Sequence, residues 1–253
     1  MTAIVQRVAN QLEGTLRQAY RLLLDRPALR EAKAMRRLYA QFIRPGDLVF
    51  DIGANVGEYT EAFADVGGRV VAVDPNPDCT DRLRKLAKIR GFDLELCTAG
   101  DAPGTATLNT CQYSYFATMN NDYPELTKKH PDYTEVQWGR RIEVPVVTLD
   151  QLAQRYGTPA FVKIDVEGFE DKVIAGMSFR PRTLSFEFST TVLDITQRVL
   201  SALDGYEFNA LAGRTFDLVH SRWLTRDELL AWLNTKKTPY GDVIACRSAK
   251  NGN

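Results

Sequence analysis

The sequence predicts an α/β fold in which a parallel sheet is covered by helices on both faces. Two observations carry this. From residue 48 onward, short apolar runs alternate with helical patterns at intervals of about 20 residues, the spacing of right-handed crossovers between parallel strands. The first run also ends in a glycine-rich turn, Asp51-Ile52-Gly53-Ala54-Asn55-Val56-Gly57, and the next run ends in an acid, Asp74. The 253 residues are 44% apolar and 25% charged, the composition of a globular protein. That length fits one large domain with an appended arm.

The elements follow in order. Residues 3–24 place Ile4, Val8, Leu12, Leu16, Ala19 and Leu23 at helical spacing, and residues 28–43 repeat it from Leu29 to Phe42. Asp25-Arg26-Pro27 separates the two helices, and Arg44-Pro45-Gly46-Asp47 ends the second. Residues 1–44 are therefore read as a helical arm, and 45–253 as the main domain. Strands are expected at 48–52, 69–74 and 94–98, with helices at 57–66 and 77–90 between them. Residues 109–141 break the rhythm: they are polar and aromatic and include Tyr113, Tyr115, Phe116, Tyr123, His130, Tyr133 and Trp138. Such a stretch predicts an irregular insertion that works as a lid.

Order returns at 143–147, read as an edge strand because it contains Pro145. A helix at 149–156, a buried strand at 160–165 and a helix at 170–176 come next. A strand at 183–189 and a helix at 192–203 follow. Residues 206–211 and 242–247 read as a closing antiparallel pair. Between them lies a helix at 223–233, with Thr225 and Glu228 spaced as a capping box.

Several classes are excluded at this level. Lys+Arg and Asp+Glu number 32 each, so bulk electrostatics do not point to a nucleic-acid partner. No apolar run approaches the roughly 20 residues of a membrane span, and the amino terminus lacks the pattern of a signal peptide. Two histidines, His130 and His220, are too few for a multi-histidine metal centre. Cys79, Cys97, Cys111 and Cys246 form no zinc-ligand spacing and read as reduced thiols, which suits a cytoplasmic protein. The neutrality is a sum of unlike parts. Residues 1–44 hold nine Lys+Arg and three Asp+Glu, and the rest hold 23 and 29. The basic arm is placed to rest on the acidic core, on an anionic surface, or on a second copy as a homodimer contact.

Three groups of residues carry chemistry. Gly53 permits a tight turn that a ligand can approach closely, and the helix that follows aims its amides at an anionic group. Asp74, 21 residues later in the sequence, suits the two hydroxyls of a ribose. The pair calls for an adenosine-type cofactor, either a nicotinamide dinucleotide or S-adenosylmethionine. The third glycine of a dinucleotide turn is missing, and Asp51 beside the turn repels a pyrophosphate but suits a cationic methionine moiety. The third group is Lys163-Ile164-Asp165-Val166-Glu167, whose three charges share one side of an extended strand, together with Glu187 at the end of the following strand. Lys163 is read as an ion pair with Glu187 or Glu167.

Phe50-Asp51-Ile52-Gly53-Ala54-Asn55-Val56-Gly57, Val147-Thr148-Leu149-Asp150 and Lys163-Ile164-Asp165-Val166-Glu167-Gly168-Phe169-Glu170 resemble the FkbM family of S-adenosylmethionine-dependent methyltransferases. Ala99-Gly100-Asp101 with Gly104 adds to the resemblance. It covers roughly residues 45–190 and leaves out the amino-terminal helices and the insertion. The resemblance implies a class I methyltransferase fold, Rossmann-like, with a seven-stranded and mostly parallel sheet. It implies O-methylation of a hydroxyl on a sugar, glycan, polyketide or other small metabolite. Carried onto this sequence, it places Gly53, Asn55 and Gly57 along the methionine part, Asp74 at the ribose, Ala99 and Gly100 near the adenine, and Asp165 beside the methyl group. Asp51, Ala54 and Asn76 complete the expected cofactor contacts.

Methyl transfer from a sulfonium is an in-line displacement and depends chiefly on positioning. An alcohol also loses a proton, so a base within reach assists. Asp165 is the first choice, Glu167 the second, and Glu187 is read as orienting the acceptor. His130 is the outside candidate, since histidine titrates near neutrality. Asp165, Glu167 and Glu187 also form a set of oxygen ligands suited to Mg²⁺, but Lys163 stands to neutralise one of them and a metal is not favoured. Two other functions stay open from the residues alone. An NAD-dependent oxidoreductase fits Gly53 and Asp74 but lacks an identifiable proton relay, and a non-catalytic cofactor-binding scaffold is the third reading.

Overall fold

The computed structural model describes residues 26–113, 116–127, 135–235 and 237–247. The helix expected at 3–24 lies outside them, as does His130. The described chain begins with α1 (Arg26–Tyr39) and continues with β1 (Leu48–Ile52), α2 (Glu58–Asp65), β2 (Arg69–Val73), α3 (Pro77–Arg90) and β3 (Asp93–Glu95). After β4 (Thr98–Ala99) and β5 (Gly104–Cys111) come α4 (Tyr123–Thr127), β6 (Trp138–Val147), α5 (Leu149–Tyr156), β7 (Phe161–Ile164) and α6 (Glu170–Ala175). The last elements are β8 (Thr183–Ser189), α7 (Leu193–Ala202), β9 (Tyr206–Ala212), α8 (Arg226–Leu233) and β10 (Tyr240–Arg247).

Seven strands form the main sheet in the order β3-β2-β1-β7-β8-β10-β9. The first five are parallel, and β10 enters antiparallel between β8 and β9. This is the seven-stranded, mostly parallel sheet that the resemblance implies. β1 and β7 are buried along their whole length, which explains why they read as continuous apolar runs rather than as alternation. Phe50, Ile52, Val162, Ile164 and Phe186 pack on one face with Val173 and Leu200 of the helices. Val49, Val70 and Phe161 pack on the other with Met35, Leu38 and Phe63. Each such side chain, once buried, contributes roughly 1.5–3 kcal/mol.

α1 is part of this second layer. Tyr39 is fully buried, and its ring meets Phe63 and Phe161 edge-on at 4.9 and 5.7 Å. From Met35 to Phe42 the apolar stripe of the second arm helix is thus covered within the chain, while Leu29 stays exposed. Helix starts follow their local chemistry. Asn76 caps α3 by accepting from the Asp78 amide at 3.0 Å, with Pro77 at the first helical position. Thr148 with Gln151 and Thr225 with Glu228 form capping boxes on α5 and α8.

Three expectations need correction. The strand read at 94–98 is two pieces: β3 stays in the main sheet, and β4 turns away to pair with β6. The region read as an irregular insertion begins and ends in strand. β5 and β6 form a long antiparallel pair, from Gly104 to Cys111 against Trp138 to Val146. Finally, β6 is the middle strand of a three-stranded sheet β4-β6-β5, not an edge. Its proline is tolerated because β4 reaches only Val146 and Val147, which leaves the other side of β6 open at Pro145.

Candidate active site

The carboxyl ends of β1, β2, β7 and β8 open into one cavity of about 960 Å³. This is where an open parallel sheet presents its ligands. Its first wall is the Gly53 turn. Gly53 has φ +84°, and a Cβ there would fall 1.8 Å from the Asp165 carbonyl oxygen, so only glycine lets the turn lie against the end of β7. The Gly53 and Ala54 amides donate to the Val73 carbonyl at 2.9 and 3.1 Å, which ties the turn to β2. Asn55 takes a left-handed φ of +49°. Gly53, Ala54 and Asn55 line the cavity, whereas Gly57 faces Leu83 and Leu86 of α3.

Asp74 is buried at the mouth of the same turn. Its two carboxylate oxygens accept from the Asn55 amide at 2.7 Å and the Asn76 amide at 2.8 Å. Asp74 lines the cavity, and a carboxylate oxygen can accept more than one hydrogen bond, so the pair suits two adjacent hydroxyls. Burial pushes Asp74 up to about 6 against the pull of those two amides. Asp51 lies under the turn, 1% exposed, and accepts a hydrogen bond from the Thr60 hydroxyl. Burial pushes it up to about 6 as well. Ala99 is fully buried, and Gly100 packs against Gly176. Neither lines the cavity; Thr98, one residue earlier, does.

The opposite wall is acidic. Carboxylate oxygens of Asp165, Glu167 and Glu187 lie within 4.8 Å of one another. Glu167 stands beyond the end of β7 with φ +55°, so it reaches the cluster through a turn and not by strand alternation. Burial and the Asp165 carboxylate hold Glu167 well above the ordinary glutamate range, and burial and the Glu167 carboxylate do the same to Glu187. Glu170 is a scaffold for this turn: it accepts from the Val166 and Gly168 amides, both at 3.2 Å, and burial pushes it up to about 7.

Lys163 sits fully buried behind Asp165. Its ammonium donates to Asp165 Oδ2 at 3.0 Å and to Asp242 Oδ1 at 2.9 Å, and it lies 4.8 Å from the centre of the Tyr59 ring. Burial pulls this lysine down, but the two carboxylates outweigh it and hold Lys163 well above the usual value. The expected pairing with Glu187 or Glu167 is therefore wrong. Asp165 is nearer along the same strand side, and β10 brings in Asp242. Sequence reasoning missed Asp242 as a partner, although an acid immediately before the apolar run Val243-Ile244-Ala245 was a visible signal.

The insertion grips the acidic turn from outside. Thr118 Oγ1 donates to the Glu167 carbonyl at 2.6 Å, and Asn120 Nδ2 to the Gly168 carbonyl at 3.0 Å. The Tyr123 hydroxyl donates to Glu167 Oε2 at 2.9 Å. Leu108, Phe116, Ala117 and Met119 supply an apolar side to the cavity. His220, by contrast, is packed edge-on against Trp232 at 5.1 Å, and it is not among the residues lining the cavity.

The chain resembles two curated methyltransferases. It is 25% identical over 161 residues to the hexuronic acid methyltransferase AglP of Haloferax volcanii, covering 62% of this chain and 61% of that protein. It is 30% identical over 162 residues to the 31-O-demethyl-FK506 methyltransferase FkbM of Streptomyces tacrolimicus, covering 53% and 61%. The chain thus spans about three fifths of the length of each relative. Similar solved structures include an O-methyltransferase from Bacillus cereus in complex with SAH, at 14% identity, 98% of both chains and a TM-score of 0.46. A precorrin-6y C5,15-methyltransferase from Geobacter metallireducens matches at 12% identity, 86% of both chains and a TM-score of 0.45. Residues 51–200, more than half of the chain, match the methyltransferase FkbM domain, and with the glycine turn, Asp74 and the Lys163–Glu170 segment all inside that span, the chain belongs to the FkbM methyltransferase family.

Proposed function

We propose that this protein transfers a methyl group from S-adenosylmethionine to a hydroxyl of a small acceptor, a sugar, glycan or polyketide. The observation that carries the reading is one cavity with two unlike walls: the Gly53 turn with Asp74 on one side, and the Asp165, Glu167 and Glu187 carboxylates on the other. The donor set fits the cofactor. Asp74 offers two acceptors to a ribose diol, and the acidic wall suits a cation. The names of the two curated relatives support a sugar acid or polyketide hydroxyl as acceptor.

When bound, the cofactor supplies an electrophilic methyl group on a positively charged sulfur. The chain's residues do the rest. Asp74 fixes the ribose, and Gly53, Ala54 and Asn55 bring bare backbone to the amino-acid end. Asp165 takes the hydroxyl proton of the acceptor as its oxygen is methylated. Glu187 orients the same hydroxyl, and Glu167 is held in place by Tyr123. Two of the three carboxylates already have protein partners, Lys163 and the Tyr123 hydroxyl, which supports transfer without a divalent cation. Activity should therefore survive dialysis against a chelator, and a loss restored by Mg²⁺ would overturn this point.

Calorimetry of the full chain with S-adenosylmethionine and, separately, with NAD tests the cofactor. Binding of NAD without S-adenosylmethionine sinks the reading. Product masses from a panel of hydroxylated sugars and polyketides then identify the acceptor by the gain of one methylene unit. With an acceptor in hand, Asp165→Ala should abolish turnover, and unchanged turnover removes Asp165 as the base.

A further inference from the structure

A fully buried lysine under a ligand cavity calls for a reason beyond packing. Burying an ammonium is costly, and a well-packed apolar group of the same size often leaves a fold equally stable. Lys163 is compensated on two sides, by Asp165 from its own strand and by Asp242 from β10. Both carboxylates line the cavity, and Asp165 keeps 29% of its side chain exposed to it. The Lys163 ammonium contacts Oδ2 of Asp165 and leaves Oδ1 unengaged by it. In the sheet, Lys163 stands in register with Asp51 on β1 and Ser185 on β8, and Asp242 with Glu187 on β8.

The charge sum is the useful quantity. One lysine between two aspartates carries a net charge of −1. An Asp165–Lys163 pair alone is neutral, and two aspartates without the lysine are −2 in a low-dielectric site. The three residues together present to the cavity one negative charge, the complement of one cationic sulfur.

We propose that Asp165, Lys163 and Asp242 act as a single charge unit, in which Asp242 is a positioning residue. By occupying the second side of Lys163, Asp242 keeps Asp165 from being neutralised and leaves it available to the sulfonium. The proposal rests on the reading of Asp165 as lying beside the sulfur. It predicts discrimination between two ligands of nearly equal shape: S-adenosylmethionine, with a cationic sulfur, and S-adenosylhomocysteine, with a neutral one. A group that only supports the fold affects both ligands alike.

The experiment is calorimetry of the full chain with S-adenosylmethionine and with S-adenosylhomocysteine, comparing the ratio of the two Kd values across variants. Asp242→Asn keeps the shape and a hydrogen-bond acceptor but makes the unit neutral. It should shift the ratio toward the homocysteine ligand by about tenfold, the order expected for one charge in a half-buried site. Asp242→Glu retains the charge and should restore the ratio to within about twofold of the unaltered protein. Asp242→Ser replaces the asparagine variant if that one does not fold, and is read the same way. Asp165→Asn is the control on the underlying reading. If it shifts the ratio and the neutral Asp242 variants do not, the role of Asp242 is overturned while the placement of Asp165 stands. If Asp165→Asn leaves the ratio unchanged, both fall.

Discussion

At the scale of single residues, the site is built from side chains that are poorly solvated and closely fitted. Gly53 has no room for a methyl group, because its Cβ would overlap the Asp165 carbonyl and its φ of +84° is itself strained for other residues. Gly53→Ala should lower stability by at least about 3 kcal/mol, measured by urea denaturation, and should weaken cofactor binding. Asp51 gives a pH signature. It titrates near 6 in the folded protein against an ordinary value of 3.8. Between those values the folded state holds a proton that the unfolded chain releases, so its contribution to stability grows as pH falls and is lost as pH rises through 6. Asp51→Asn should therefore stabilise the protein at pH 7.5, by on the order of 2–3 kcal/mol. The gain should vanish near pH 4, as followed by Tm across that range. A gain independent of pH would assign the effect to packing instead.

At the scale of elements, the insertion is less a lid than a clamp. Thr118, Asn120 and Tyr123 hold both carbonyls and the one carboxylate of the Glu167–Gly168 turn, and the Tyr123 ring lies where a Gly168 Cβ would have to go. Tyr123→Phe removes one hydroxyl and frees Glu167. The variant should lose about 1 kcal/mol of stability, bind the cofactor to within about twofold, and show a several-fold fall in kcat once an acceptor is known. An unchanged kcat would show that Glu167 needs no holding. The sequence displayed the aromatic content of this segment but not its contacts. Nothing in the spacing of Thr118 or Tyr123 encodes a partner more than 40 residues away. The strand β5 and the first half of β6 were hidden for a related reason. Their burial is one-sided and mixed, and Gly104-Thr105-Ala106-Thr107 carries too little apolar alternation to announce a strand.

At the scale of the molecule, the order of parallel strands and helices was legible because each βα unit repeats a strong local signal: a buried apolar run, a turn, a capped helix. The cofactor wall was legible for the same reason, since Gly53 and Asp74 sit at fixed points of that unit. On the far side the three carboxylates were legible as well, but the partners of Lys163 were not, because they depend on which strands become neighbours. Lys163 illustrates this. It links the parallel half of the sheet to β10 through Asp242, a contact 79 residues apart in sequence. Lys163→Met leaves the buried Asp242 and the half-buried Asp165 without a counterion and should destabilise the protein by about 3 kcal/mol. The double change Lys163→Met with Asp242→Asn should recover much of that loss, measured by the same denaturation midpoint. Failure to recover it would mean that Asp165 alone carries the penalty.

The position of β10 also bears on how the protein comes into being. Tyr240–Arg247 enters the sheet between β8 and β9 and completes it from within. While the ribosome is still making this strand, β9 has nothing to pair with in the main sheet, and Lys163 meets only one of its two aspartates. The five parallel strands are ready to assemble as they emerge, but Asp242 joins Lys163 only when the polypeptide has grown past this strand. A nascent chain halted before Tyr240 should therefore expose the apolar edge of β8 and be a preferred client for chaperones, with cofactor protection arriving only after synthesis has passed this strand.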